Sequence, residues 1–112
     1  MTETVKPLRG KYFNLFVNLL EADRITDSLE ETKDGGTCNF DALMLDLPRW
    51  KADNVREAAK KANWNAWKYY GSTWIFSFPT TGQGNRRTRR AEALAKELGD
   101  RGYKTGVYYQ MD

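Results

Sequence analysis

The segment Asn65-Ala66-Trp67-Lys68-Tyr69-Tyr70-Gly71-Ser72-Thr73-Trp74-Ile75-Phe76-Ser77-Phe78 decides the fold. Two runs rich in aromatic and β-branched residues flank a Gly-Ser pair, which predicts two strands joined by a tight turn. Strand alternation puts Trp74, Phe76 and Phe78 on one face and Thr73, Ile75 and Ser77 on the other.

Upstream of this hairpin, Val55, Ala58, Ala59 and Ala62 recur at helical spacing after Asp53, which predicts a helix over 53–63 capped by that aspartate. Before it, Leu43, Leu45 and Leu47 alternate in Asp41 to Leu47, a strand ended by Pro48. Downstream, 79–84 reads as a loop, and Asn85 as the cap of a second helix whose Ala91, Leu94, Ala95 and Leu98 share a face. Gly99 to Gly102 closes that helix, and Lys104 to Met111 forms a last strand.

The resulting order, β-α-β-β-α-β over residues ~41–111, resembles the ferredoxin-like split β-α-β fold, an α+β architecture with both helices on one face of a four-stranded sheet. The resemblance is one of topology and leaves function open. The helix over 53–63 is rich in alanine and supplies little volume, so Trp74, Phe76 and Phe78 are expected to fill the core beneath the helices. The open face is then expected to be polar and poor in aromatics at its centre, with Tyr69 or Tyr108 the more exposed rings. Were Trp74, Phe76 and Phe78 to point outward, they would form a stacking platform like that of RNA-recognition domains, whose Lys/Arg-Gly-Phe/Tyr strand opening is absent here.

Ahead of this unit, residues 1–10 read as a loose arm. Phe13, Phe16, Val17 and Leu20 fall at i, i+3, i+4 and i+7 and predict a helix over residues 11–20 or slightly beyond; a strand through Tyr12 to Val17 is the rival reading. Thr26 and Ser28 begin capping patterns, the latter with Glu31, for a second short helix ended by Asp34 to Thr37. Residues 11–36 are expected to be a helical extension covering an edge or the open face of the sheet. The whole chain, 1–112, is read as a single domain with residues 41–112 as its core; a mass of 13.0 kDa can bury about two-thirds of its unfolded surface, enough for one core.

Composition removes several kinds of chemistry. The chain has no histidine and one cysteine, Cys38, so His-dependent triads, Cys/His proteases, internal disulfides and multi-cysteine zinc sites are excluded, and no cofactor or metal is expected. No apolar run approaches the ~18 residues of a membrane span, and Met1 to Val5 lacks the features of a secretion signal, so a cytoplasmic site of action away from membranes is expected. The net charge of +3 averages two unlike halves: residues 1–50 carry 6 Lys/Arg and 9 Asp/Glu, and residues 51–112 carry 12 and 6.

The densest positive charge is in Gly82-Gln83-Gly84-Asn85-Arg86-Arg87-Thr88-Arg89-Arg90, a glycine-containing loop entering a helix. Cations at a helix N-terminus oppose the macrodipole at ~0.3–1 kcal/mol each, so an anionic partner would relieve the conflict. Free N–H groups, two glycines and guanidinium groups suit phosphate, although neither a Walker loop nor a dinucleotide fingerprint is present. The plain alternative is a solvated basic helix face.

Arg49, Trp50 and Lys51 follow the first strand and are expected to converge with Gln83, Asn85, Arg86 and Arg87, on the reading that the first and third strands are parallel neighbours. Together these residues predict a non-catalytic nucleic-acid-binding site for RNA or single-stranded DNA, with Arg86, Arg87, Arg89, Arg90, Arg49 and Lys51 on phosphates and Trp50 on a base. A protein-interaction module, such as a viral or accessory inhibitor of a host complex or a homodimer, is the alternative, suggested by the charge split. Leu45-Asp46-Leu47-Pro48 also resembles the strand-end aspartate of the small ferredoxin-like CRISPR-associated nucleases, a resemblance that would imply a metal-dependent nuclease using Asp46.

Overall fold

A computed structural model describes residues 8–26, 41–78 and 84–109. Three helices and four strands follow in the order α1 (Lys11–Thr26), β1 (Ala42–Asp46), α2 (Ala52–Lys61), β2 (Asn65–Tyr70), β3 (Thr73–Ser77), α3 (Gly84–Asp100) and β4 (Lys104–Tyr108). The fold is α+β: the strands form one four-stranded sheet in the order β2-β3-β1-β4, with every neighbouring pair antiparallel.

The hairpin forms as the sequence predicts. Gly71, at φ 57°, takes the first turn position and Ser72 the second, a reversal that matches strand twist. Trp74, Phe76 and Phe78 are buried with Leu43, Leu45 and Leu47 against Val55, Ala58, Ala59 and Ala62 of α2 and Ala91, Leu94, Ala95 and Leu98 of α3. Every apolar position assigned to these two helices from spacing lies in this core.

Both helices end by a shared device. Trp64 N–H donates to Ala59 C=O at 2.8 Å with Asn63 at φ 68°, and Tyr103 N–H donates to Leu98 C=O at 3.1 Å with Gly102 at φ 105°. These six-residue closures satisfy carbonyls at the helix end and aim the chain into β2 and β4. The helix starts differ from expectation by one residue or two. Lys51, not Asp53, precedes α2, and Asp53 sits in its first turn; Asn85 lies inside α3, which begins at Gly84.

Helix α1 exists, and the strand reading of Tyr12 to Val17 is set aside. Its buried side is Leu15, Leu19, Ala22 and Thr26, whereas Phe13 and Leu20 remain 47% and 42% exposed, so the stripe expected to be buried is the wrong one. α1 lies against α2 and α3, beyond the helical layer, and so covers neither the open face nor an edge of the sheet.

Two polar clusters hold α1 there. Arg101 donates from Nη1 to Glu21 at 2.6 Å and to Asn18 at 2.9 Å, and from Nε to Glu97 at 3.0 Å; the bonds to Glu21 and Glu97 hold its guanidinium more firmly protonated than usual. Arg90 donates to Thr26 Oγ1 at 3.2 Å, to Asp23 C=O at 3.0 Å and to the Asp23 carboxylate. Between them Asn18 donates to the Tyr103 hydroxyl at 2.9 Å; burial raises the pKa of that phenol. Of the arm predicted over 1–10 only residues 8–10 are described, and Thr26, one of the two predicted caps of a second short helix, is the last residue of α1; the rest of that helix, Cys38, the loop over 79–83 and the end of the predicted last strand beyond Tyr109 lie outside the described residues.

Candidate functional site

The register of the sheet determines what its uncovered face carries. Met44 pairs with Ile75 and with Gly106, Trp67 with Ile75, Ala42 with Tyr108, and Asp46 with Thr73 and Lys104. Because Leu43, Leu45, Trp74 and Phe76 face the helices, alternation puts all of these partners on the opposite side. Among the described residues no helix packs there.

That face is not the polar surface the sequence suggested. Ile75 is only 1% exposed although no helix reaches it, flanked by Met44 and Trp67. The rings of Tyr69 and Tyr108, from strands at opposite edges, meet edge to face at 5.3 Å. To do so they must lie across β3 and β1, over the apolar centre. Trp67 and Tyr69 keep 40% and 54% of their surface open. Three aromatic side chains and Met44 therefore make a broad, shallow apolar surface fringed by polar groups, the form of a stacking platform.

One irregularity in β2 builds this surface. Tyr70 pairs with Thr73, but Lys68, not Tyr69, pairs with Trp74, so Tyr69 is an extra residue on its strand. Without it, Trp67 would oppose Phe76 and face the helices. A shift of one residue reverses the face of every side chain beyond it.

At the hairpin end of the platform lies an open cleft of about 550 Å³, lined by Met44, Asp46, Tyr70, Ser72, Lys104 and Gly106 among others. Ser72 Oγ–H donates to Asp46 Oδ1, and Leu47 N–H donates to Ser72 C=O at 2.9 Å, which ties the end of β1 to the hairpin turn. The chain then turns through Leu47-Pro48-Arg49-Trp50, with Trp50 N–H donating to Leu47 C=O at 3.3 Å. Proline in the second position and φ 67° at Arg49 in the third follow a type II turn, whose third position normally takes glycine.

The sequence-derived site does not assemble as a unit. β1 and β3 are antiparallel, because the hairpin reverses the chain before β3 returns beside β1. Arg49, Trp50 and Lys51 therefore leave one end of the sheet while α3 begins after the opposite end, and the expected convergence with Asn85, Arg86 and Arg87 does not occur. Trp50 instead meets Tyr12 edge-on at 5.2 Å with Lys11 Nζ 4.7 Å from its ring, and Lys51 N–H donates to the Tyr12 hydroxyl at 2.9 Å. These contacts dock the start of α1 rather than stack a base.

The arginine cluster also divides. Arg90 is 1% exposed, bound to Asp23 and Thr26 and lying 5.5 Å from the Phe78 ring, which removes it from the phosphate-contacting set. Arg89 is exposed. Gly84, Asn85, Arg86 and Arg87 belong to the first turn of α3, but the side chains of Asn85, Arg86 and Arg87, and all of Gly82 and Gln83, lie outside the described residues. Asp46 bonds to Ser72, and among the described residues no three His, Cys, Asp or Glu side chains gather as metal ligands. No described helix is long and apolar enough to cross a membrane.

No family model, curated protein or solved structure matches the chain. The functional reading therefore rests on the residues themselves.

Proposed function

We propose that the chain is a small, non-catalytic nucleic-acid-binding protein that takes RNA or single-stranded DNA across the open face of a ferredoxin-like split β-α-β unit. The strand order β2-β3-β1-β4 and the two crossover helices α2 and α3 support that fold reading. The observation that carries the function is the aromatic platform: Trp67, Tyr69 and Tyr108 lie exposed or half-exposed on one sheet face, with Lys104 on the same face and Arg49 beyond the end of β1. Every base offers a π-face to such rings, whereas a duplex hides its bases, so unpaired strands are the preferred ligand. The proposed site also keeps Arg86 and Arg87, which belong to the first turn of α3.

Base stacking on aromatic side chains is worth ~1–3 kcal/mol per base, so Trp67→Ala should weaken binding of a single-stranded oligonucleotide by about tenfold in a gel-shift titration. Trp67 is partly exposed and outside the helix-covered core, so its loss leaves the fold in place. Undiminished affinity in Trp67→Ala and in Tyr69→Ala would remove the platform from the binding site.

One observation favours a second reading, a protein-interaction module: the exposed Phe13 and Leu20 on α1, a helix packed on the side of the molecule away from the sheet face. A protein partner lost on changing these two residues, and retained after nuclease treatment, distinguishes it from the first.

A further inference from the structure

We propose, building on the single-strand-binding reading above, that the cleft at the hairpin end of the platform is a subsite for a guanine base. Asp46 and Lys104 are direct cross-strand partners on the open face, a placement in which opposite charges ordinarily pair. Here they do not. Asp46 takes the Ser72 hydroxyl on Oδ1, and among the described residues no donor reaches its Oδ2 and no carboxylate lies within 4 Å of Lys104 Nζ. An acceptor and a donor thus stand side by side on the lining of one cleft, each with bonding capacity unused.

The walls fit a planar heterocycle. The floor is Met44 packed on Gly106 in the middle of β4, where the Met44 Cε lies 3.3 Å from the position a Cβ would take, so the absence of a side chain at 106 is what lets the methionine lie flat against the strand. Tyr70 on the rim is 79% exposed, a ring free to lie against a base that has left the platform. A volume of about 550 Å³ is in the range of small-ligand sites.

The order of polar groups selects the base. Guanine carries two adjacent donors, N1–H and the 2-amino group, which a carboxylate can accept together, and its O6 lies next to N1–H, on the side where an ammonium would donate. Adenine would turn its N1 lone pair toward the carboxylate. Uracil flanks its one N–H with carbonyls, one of which would meet the same negative charge. Cytosine offers a single amino group beside an acceptor nitrogen.

The test compares an eight-nucleotide oligouridine with the same oligomer carrying one central guanosine, each titrated into the full chain by fluorescence anisotropy. The guanosine oligomer should bind about tenfold more tightly, and that ratio should fall towards one in Asp46→Asn, which keeps an acceptor for Ser72 but presents an amino group to the base. Lys104→Met should lower the ratio as well, and thermal melting reports whether either variant stays folded. Equal binding of both oligomers by the unaltered chain would overturn the subsite and leave the platform reading standing. A ratio untouched by Asp46→Asn in a folded variant would remove Asp46 from it. Failure of both oligomers to bind would overturn the platform reading and the subsite with it.

Discussion

Arg89 and Arg90 are neighbours in sequence, yet one is exposed and the other closed inside the helical layer. The difference follows from helical spacing: Arg90 stands four residues before Leu94 and eight before Leu98, on the buried stripe of α3. The expectation that Arg90 contacts phosphate followed the run of charge and overlooked this spacing. The partner of Arg90 was not legible in the sequence, because Asp23 is 67 residues away and reaches Arg90 only after α1 packs across α3. There the guanidinium also accepts the role of a cap, donating to the Asp23 carbonyl in the last turn of α1, where the macrodipole favours a cation. Arg90→Ala should therefore act on stability, lowering it by about 2–3 kcal/mol in urea denaturation, less than the ~3–5 kcal/mol typical of a fully buried pair because the Asp23 side chain stays 28% exposed and can be solvated. A midpoint unchanged by the substitution would show that the pair does not hold α1.

At the level of elements, α1 and β2 show where periodicity is informative and where it stops. The spacing of Phe13, Phe16, Val17 and Leu20 identified a helix correctly, but the same helix offers a second apolar stripe through Leu15, Leu19 and Ala22, and only packing on α2 and α3 chooses between them. The larger residues lost because the Ala-rich surface of α2 and the Arg90 and Arg101 anchors fix which side of α1 turns inward. Leu19→Ala should cost ~2–5 kcal/mol as a buried cavity, while Leu20→Ala, at 42% exposure, should cost under ~1 kcal/mol. Thermal melts of the two variants measure the difference, and equal costs would contradict the assigned face. In β2 the strand itself was legible, and its faces were not: the extra residue Tyr69 carries no sequence mark such as glycine, so the position of Trp67 on the platform could be read only from the register. The helix-facing set of β3, by contrast, lies within an uninterrupted alternation, and Trp74, Phe76 and Phe78 fell where the sequence placed them.

Over the whole molecule, the basic character of residues 51–112 is spread more thinly than the arginine run implies. Arg90 is spent on Asp23 and Arg101 on Glu21 and Glu97, while Arg56 and Lys61 lie beside Asp53 and Glu57 on α2. Near the platform's hairpin end the described cations are Lys104 and Arg49, and the proposed site adds Arg86 and Arg87 from the first turn of α3. A ligand held mainly by stacking and by so few cations should show modest salt dependence. Each phosphate neutralised on a single strand contributes ~0.7 to the slope of log affinity against log salt, so two to four contacts predict a slope between about −1.4 and −2.8. Arg49→Gly separates charge from fold, since glycine suits the φ of 67° that arginine adopts at a conformational cost, and stability should rise slightly while the slope becomes shallower by about 0.7. Trp67→Ala should do the reverse, lowering affinity at every salt concentration and leaving the slope as it was, because a stacked base releases no counterions. Binding titrations of both variants from 50 to 200 mM salt read the two effects apart, and a slope much steeper than −2.8 would return the main contact to the start of α3 and away from the sheet.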